Sequence, residues 1–161
     1  MSDNYFLSSV GLKLGPEQVI RTIIDFMAAD PERQYKITVG TDSQGLKAGQ
    51  ADFVTAIVVH RVGNGGRYFW RRCGNGRKYH TLRDRILEEV VISLAVAREF
   101  LETSKKFKVP VFDFEIHIDI GENGRTQPMI QELVGMIRAN NFEAKTKPDS
   151  YAATKVADRH T

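Results

Sequence analysis

The chain has 161 residues, 42% of them hydrophobic and 27% charged, with a net charge of +3 and a sequence pI near 9.0. Those values describe an ordinary globular protein with enough apolar material for a core, and they argue against disorder. The single Cys73 excludes an intramolecular disulfide and fits a reducing cytoplasm, while no apolar run reaches membrane-spanning length and residues 1–5 lack the features of a secretory signal.

The expectation is a single cytoplasmic domain over residues 1–161, with residues 1–34 as an N-terminal extension. After an irregular lead-in, Gly15-Pro16 opens a helix whose apolar stripe is Val19, Ile20, Ile23, Ile24 and Met27. It ends near Asp30-Pro31. Residues 35–41, 53–62 and 67–73 read as three strands, with Gly63-Asn64-Gly65-Gly66 a hairpin signal and Gly74-Asn75-Gly76 a breaker. Residues 82–103 read as a long helix with Leu87, Val90, Val91, Leu94, Ala97 and Leu101 inward. A fourth strand, 111–120, follows Pro110. The next helix, from Gln127 or Pro128 to Ala139, buries Ile130, Leu133, Val134 and Ile137. A fifth strand spans 142–147, and Pro148-Asp149-Ser150 starts a last helix with Asp149 as its natural N-cap.

This order, β-β-β-α-β-α-β-α after a leading helix, makes the first three strands an antiparallel meander and the later ones parallel crossovers. The expected fold is α/β, with a mixed five-stranded sheet flanked by helices. The extra N-terminal helix either covers a sheet face or pairs subunits in a homo-oligomer.

Two peptides carry most of the chemistry: Val39-Gly40-Thr41-Asp42-Ser43-Gln44 and His117-Ile118-Asp119-Ile120-Gly121. Each places an aspartate where an apolar strand runs into a glycine-containing loop. On neighbouring parallel strands the two carboxylates come within about 5 Å of each other. Acids that close repel unless a cation sits between them, which points to a divalent metal. The competing reading makes both residues turn-formers, the second beside the turn Gly121-Glu122-Asn123-Gly124.

A basic run from Arg67 to Arg85 is interleaved with Tyr68, Phe69, Trp70, Tyr79 and His80. Cations neutralise phosphates and aromatics stack on bases, so Arg71, Arg72, Arg77, Lys78 and Arg83 are candidate nucleic-acid contacts, with Lys145 and Lys147 as extensions. An edge strand defended by arginine is the alternative. His117 is a candidate partner for Asp119, or a core histidine. The four histidines and one cysteine lack zinc-site spacing.

Strand order, helix placement and the aspartates ending strands one and four together resemble the ribonuclease H-like fold. Val39 to Gln44 resembles its first-strand aspartate motif, and Asp149-Ser150-Tyr151-Ala152-Ala153 resembles its carboxy-terminal acid followed by small residues. The resemblance covers residues 35–161, leaving the N-terminal helix outside, and narrows to the bacterial proteins called YkuK. It implies a hydrolase: a nuclease that cuts phosphodiesters in RNA, RNA–DNA hybrids or structured DNA, using two Mg²⁺ or Mn²⁺ ions. On that resemblance Asp42, Asp119 and Asp149 are metal-binding, and a fourth acid comes from the first turns of the long helix. There Glu88 is slightly preferred over Glu89, with Asp84 one turn earlier. Asp158 and His160 are alternatives near the chain end; about 13 Å of helical rise separates Asp149 from Asp158, too far to share one ion. A nucleic-acid-binding module that keeps the fold without the chemistry is the alternative function.

Overall fold

The structure is a computed structural model that describes residues 4–74, 76–121, 127–147, 149 and 152–161, with the backbone alone for Ala152 and Thr154. Its strands are β1 (Phe6–Ser8), β2 (Lys13–Leu14), β3 (Tyr35–Gly45), β4 (Ala51–Arg61), β5 (Gly66–Cys73), β6 (Asp113–His117) and β7 (Glu143–Lys145). Its helices are α1 (Pro16–Ala28), α2 (Leu82–Ser104), α3 (Ile130–Ala139) and α4 (Ala152–His160). The strands form one mixed sheet in the order β2-β1-β5-β4-β3-β6-β7. β3, β4 and β5 make the antiparallel meander, while β6 and β7 add in parallel.

The expected five-stranded sheet is therefore corrected to seven strands. The lead-in supplies the other two: β1 pairs with β5, and β2 pairs with β1. At three and two residues, they are too short to display a period of two. Several boundaries also move. β3 continues through Asp42 to Gly45, because β4 pairs with it as far as Gly45–Ala51. β6 stops at His117, so Asp119 lies just past it. A 3₁₀ turn at Gln127–Met129 precedes α3. The described residues of α4 are Ala152–His160, and Asp149 lies in a turn; Pro148, Ser150 and Tyr151 of the expected helix start lie outside the described residues, as do Met1–Asp3, Asn75 and the turn at 122–124.

Alternation along the central strands divides the burial between two faces. Ile37 and Val39 of β3, Ile57 and Val59 of β4, and Ile116 of β6 join one large apolar cluster with α1, α2 and α3. Val19, Ile20, Ile23 and Met27 of α1 lie within it, so that helix covers a sheet face. The opposite face of β3 presents Thr38, Gly40 and Asp42. There α4 packs through Ala153 and Ala157, both fully buried, with Val54 and Ala56 of β4 beneath. Small side chains on both surfaces let this helix approach the sheet closely.

The inward face of α2 is Ile86, Glu89, Val90, Ser93, Leu94, Val96, Ala97 and Phe100. Val91, expected inside, is 42% exposed. The apolar stripe alone misplaces the face because two polar residues, Glu89 and Ser93, are buried on it. Among the described residues no helix is long and apolar enough to cross a membrane.

The tight α4 seat has a direct consequence. Ala157→Leu forces extra methylenes between α4 and β4, lowering stability by about 1–3 kcal/mol in urea denaturation. An unchanged midpoint would contradict this packing.

Candidate functional site

The parallel pairing of β3 with β6 ends at Gly40–His117. Two residues further along each chain stand Asp42 and Asp119, at matching register and on the same sheet face. Asp42 pairs across the meander with Val54 of β4. It is half-buried, and α4 delivers Asp158 to it from above. The Asp158 carboxyl lies within hydrogen-bonding reach of it.

α2 approaches from the other face by a regular correspondence. Ser93 Oγ lies 2.7 Å from Thr41 Oγ1, and Ser43 Oγ donates to Glu89 Oε2 at 3.0 Å. One turn further, Arg85 lies over Gly45, where an added Cβ would sit 2.6 Å from its Nη1. Four residues of helix rise about 6 Å and two residues of strand about 6.7 Å, so every fourth helical residue meets every second strand residue. Thr41 Oγ1 also lies 2.9 Å from Thr55 Oγ1, tying the helix through β3 to β4. This ladder holds Glu89, only 8% exposed, at the end of β3 where the sheet edge opens.

Four acids thus meet electrostatically: Asp42, Glu89, Asp119 and Asp158. Burial first, then the hydrogen bond with Asp158 and repulsion from Asp119 and Asp158, push Asp42 up to about 7 from an ordinary 3.8. Burial, with repulsion from Asp42 and Asp119, raises Glu89 well above the usual carboxylate range, against the opposing pull of Ser43 and Arg85. Asp119 pairs with Lys147, whose Nζ is 2.9 Å from its Oδ1. Among the described residues no three His, Cys, Asp or Glu side chains stand ready-made at metal spacing. Two of the acids are instead engaged with an ammonium and a hydroxyl, at Asp119 and Glu89. All four are hard carboxylate oxygens, a set whose chemistry suits magnesium or manganese rather than zinc.

The other candidate residues lie elsewhere. Glu88 points to Arg77, 3.1 Å away, and Asp149 is exposed in the turn before α4, its N–H bonded to the Thr146 carbonyl. Asp84 sits exposed in the first turn of α2, its N–H capped by Thr81 Oγ1. His117 is buried with Nε2 3.1 Å from Glu115 Oε1, and burial lowers its pKa. His160 stacks on Trp70 at 4.1 Å, and burial together with Arg159 and Arg72 keeps its pKa low. Sequence reasoning does not reach Ser43, and it places Arg85 and Lys147 only among the basic residues. The available signal was the spacing Glu89–Ser93 against Thr41–Ser43.

The basic run is largely paired. Arg71 contacts Glu99 at 3.2 Å and lies over Phe6, with its side chain mostly covered. Arg72 reaches Asp52 and the His160 carbonyl, Arg77 reaches Glu88, and Arg83 reaches Glu132, all from exposed positions. Lys78 is exposed, with its stem beside Gly49.

The raised carboxyls fix a pH dependence for the metal-free chain. Asp42 holds its proton more tightly folded than unfolded, so its stabilisation is complete below about pH 4 and is lost as pH rises to about 7. Glu89 acts in the same direction. In EDTA the melting temperature falls between pH 5 and pH 8, and Asp42→Asn raises the pH 8 value by several degrees, about 2–4 °C per kcal/mol. A melting temperature that climbs over this interval would contradict the site's electrostatics.

The profile of the family described as Ribonuclease H-like matches residues 18–161. It takes in most of α1, which the resemblance had left outside. The chain is also 34% identical over 155 residues to the uncharacterized protein YkuK of Bacillus subtilis (strain 168), covering 90% of each chain. No solved structure matches significantly. With a mixed sheet, helices on both faces and a family match across most of its length, the chain belongs to the ribonuclease H-like family.

Proposed function

We propose that the chain is a divalent-metal-dependent nuclease that hydrolyses phosphodiester bonds in RNA, RNA–DNA hybrids or structured DNA. One observation supports the reading: four carboxylates from β3, α2, the end of β6 and α4 converge at one sheet edge, and two of them are raised, by burial first and then by their acidic neighbours. Crowding of that kind disfavours the empty ionised state, so the cluster gains most from a multivalent cation. Asp42, Asp119, Glu89 and Asp158 would hold magnesium or manganese, which when bound supplies an activated water and neutralises charge on the leaving oxygen. For this role Glu89 and Asp158 replace Glu88 and Asp149 as the preferred third and fourth acids.

The chain's own residues do the rest. Ser43 orients the Glu89 carboxylate by its hydrogen bond, and the Thr41–Ser93 contact fixes α2 behind it. Arg72, Arg77 and Arg83 have exposed side chains, paired with Asp52, Glu88 and Glu132, whose solvent-facing guanidinium groups can also meet phosphates. With Lys78 they supply a sequence-independent contact surface for nucleic acid. Arg71, covered and held by Glu99 and Phe6, serves the scaffold instead.

Incubation with labelled RNA, hybrid duplex and branched DNA in Mg²⁺ or Mn²⁺ tests the activity. Cleavage is expected, with Asp42→Asn and Asp119→Asn each slower by at least about 100-fold. Glu89→Gln and Asp158→Asn lose activity comparably, whereas Glu88→Gln and Asp149→Asn stay within about threefold. Salt-sensitive binding without any cleavage would replace the nuclease with a binding module.

A further inference from the structure

Lys147 has no role in that reading, yet it is the ammonium in direct contact with Asp119. Asp42 also acts on it attractively. Its backbone N–H donates to the Ile120 carbonyl at 2.7 Å, continuing the pairing of β7 beside the segment that carries Asp119. Gly121 makes room for its stem: a Cβ at that position would stand 3.0 Å from Lys147 Cβ. Backbone and stem are therefore fixed beside the acids. The side chain is still 58% exposed, so the ammonium can leave at little cost.

An ammonium in contact with a carboxylate uses the oxygen and the negative charge that a divalent cation needs. Resting on the metal reading above, we propose that Lys147 is a resident counter-cation of the acid cluster, which a divalent ion must displace from Asp119. The exchange removes one positive charge as two arrive. Lys147 thus stabilises the metal-free chain while weakening its affinity for metal. Once displaced, its ammonium stands at the mouth of the site, facing an incoming polyanion.

Mn²⁺ titration of the full chain tests this, with the free ion followed by electron paramagnetic resonance. Lys147→Met is expected to bind Mn²⁺ about tenfold more tightly than the unaltered chain, and to melt lower in EDTA. Lys147→Gln, which keeps a polar head, shifts affinity in the same direction. Lys145→Met, on β7 but outside the contact, leaves affinity within about twofold. Equal or weaker Mn²⁺ binding by both Lys147 variants overturns the proposal and leaves the metal reading standing. Absence of Mn²⁺ binding in all four proteins overturns both.

Discussion

Repulsion among carboxylates brought to one sheet edge governs the functional end of this molecule. Asp42 and Asp119 are neighbours because each lies two residues beyond Gly40–His117, where the parallel pairing of β3 with β6 ends. Left ionised, the pair and its companions would oppose folding. Each contact relieves part of that opposition: the Asp158 carboxyl on Asp42, a hydroxyl on Glu89, an ammonium on Asp119. Burial first, and the remaining repulsion after it, still displace Asp42 and Glu89 upward. Tolerating such crowding makes physical sense where a cation completes the structure during function.

The rest of the fold serves to deliver these groups rigidly. Four acids arrive from four segments, and each arrival has its own mechanism. Strand register sets Asp42 against Asp119. Close packing of Ala157 on Val54 and Ala56 sets the height of Asp158. The helix–strand ladder Ser93–Thr41, Glu89–Ser43, Arg85–Gly45 sets Glu89 from the opposite face. At His160 the last turn of α4 is pinned by stacking on Trp70 and by Arg72. The basic residues nearest the site therefore hold helices and ion pairs as well as offering charge to a ligand.

How much of this was legible in the sequence depends on the signal each acid left. Asp42 and Asp119 stand out because apolar alternation leads straight to them, and their partnership needs only a parallel crossover. Glu89 was obscured by Leu87 and Val91, whose hydrophobicity drew the inward face of α2 too far round. A buried glutamate and serine weaken the apolar stripe of the helix that carries them. Asp158 ranked behind Asp149, a good N-cap by composition, although it is Asp158 that acts on Asp42. Here the informative pattern was the alanine pair four residues apart, which fixes the sheet-facing side of α4. β1 owes its existence to pairing with β5, and β2 to pairing with β1, tertiary effects that two or three residues cannot announce.

A crystal grown or soaked with Mn²⁺ bears most directly on the central claim, because anomalous scattering locates the ion independently of any assay. The account predicts an ion between the carboxylates of Asp42 and Asp119, with Glu89 or Asp158 completing its oxygen shell and Lys147 withdrawn from Asp119. Manganese bound elsewhere, or an acid cluster still holding its Lys147 contact at saturating Mn²⁺, would contradict it.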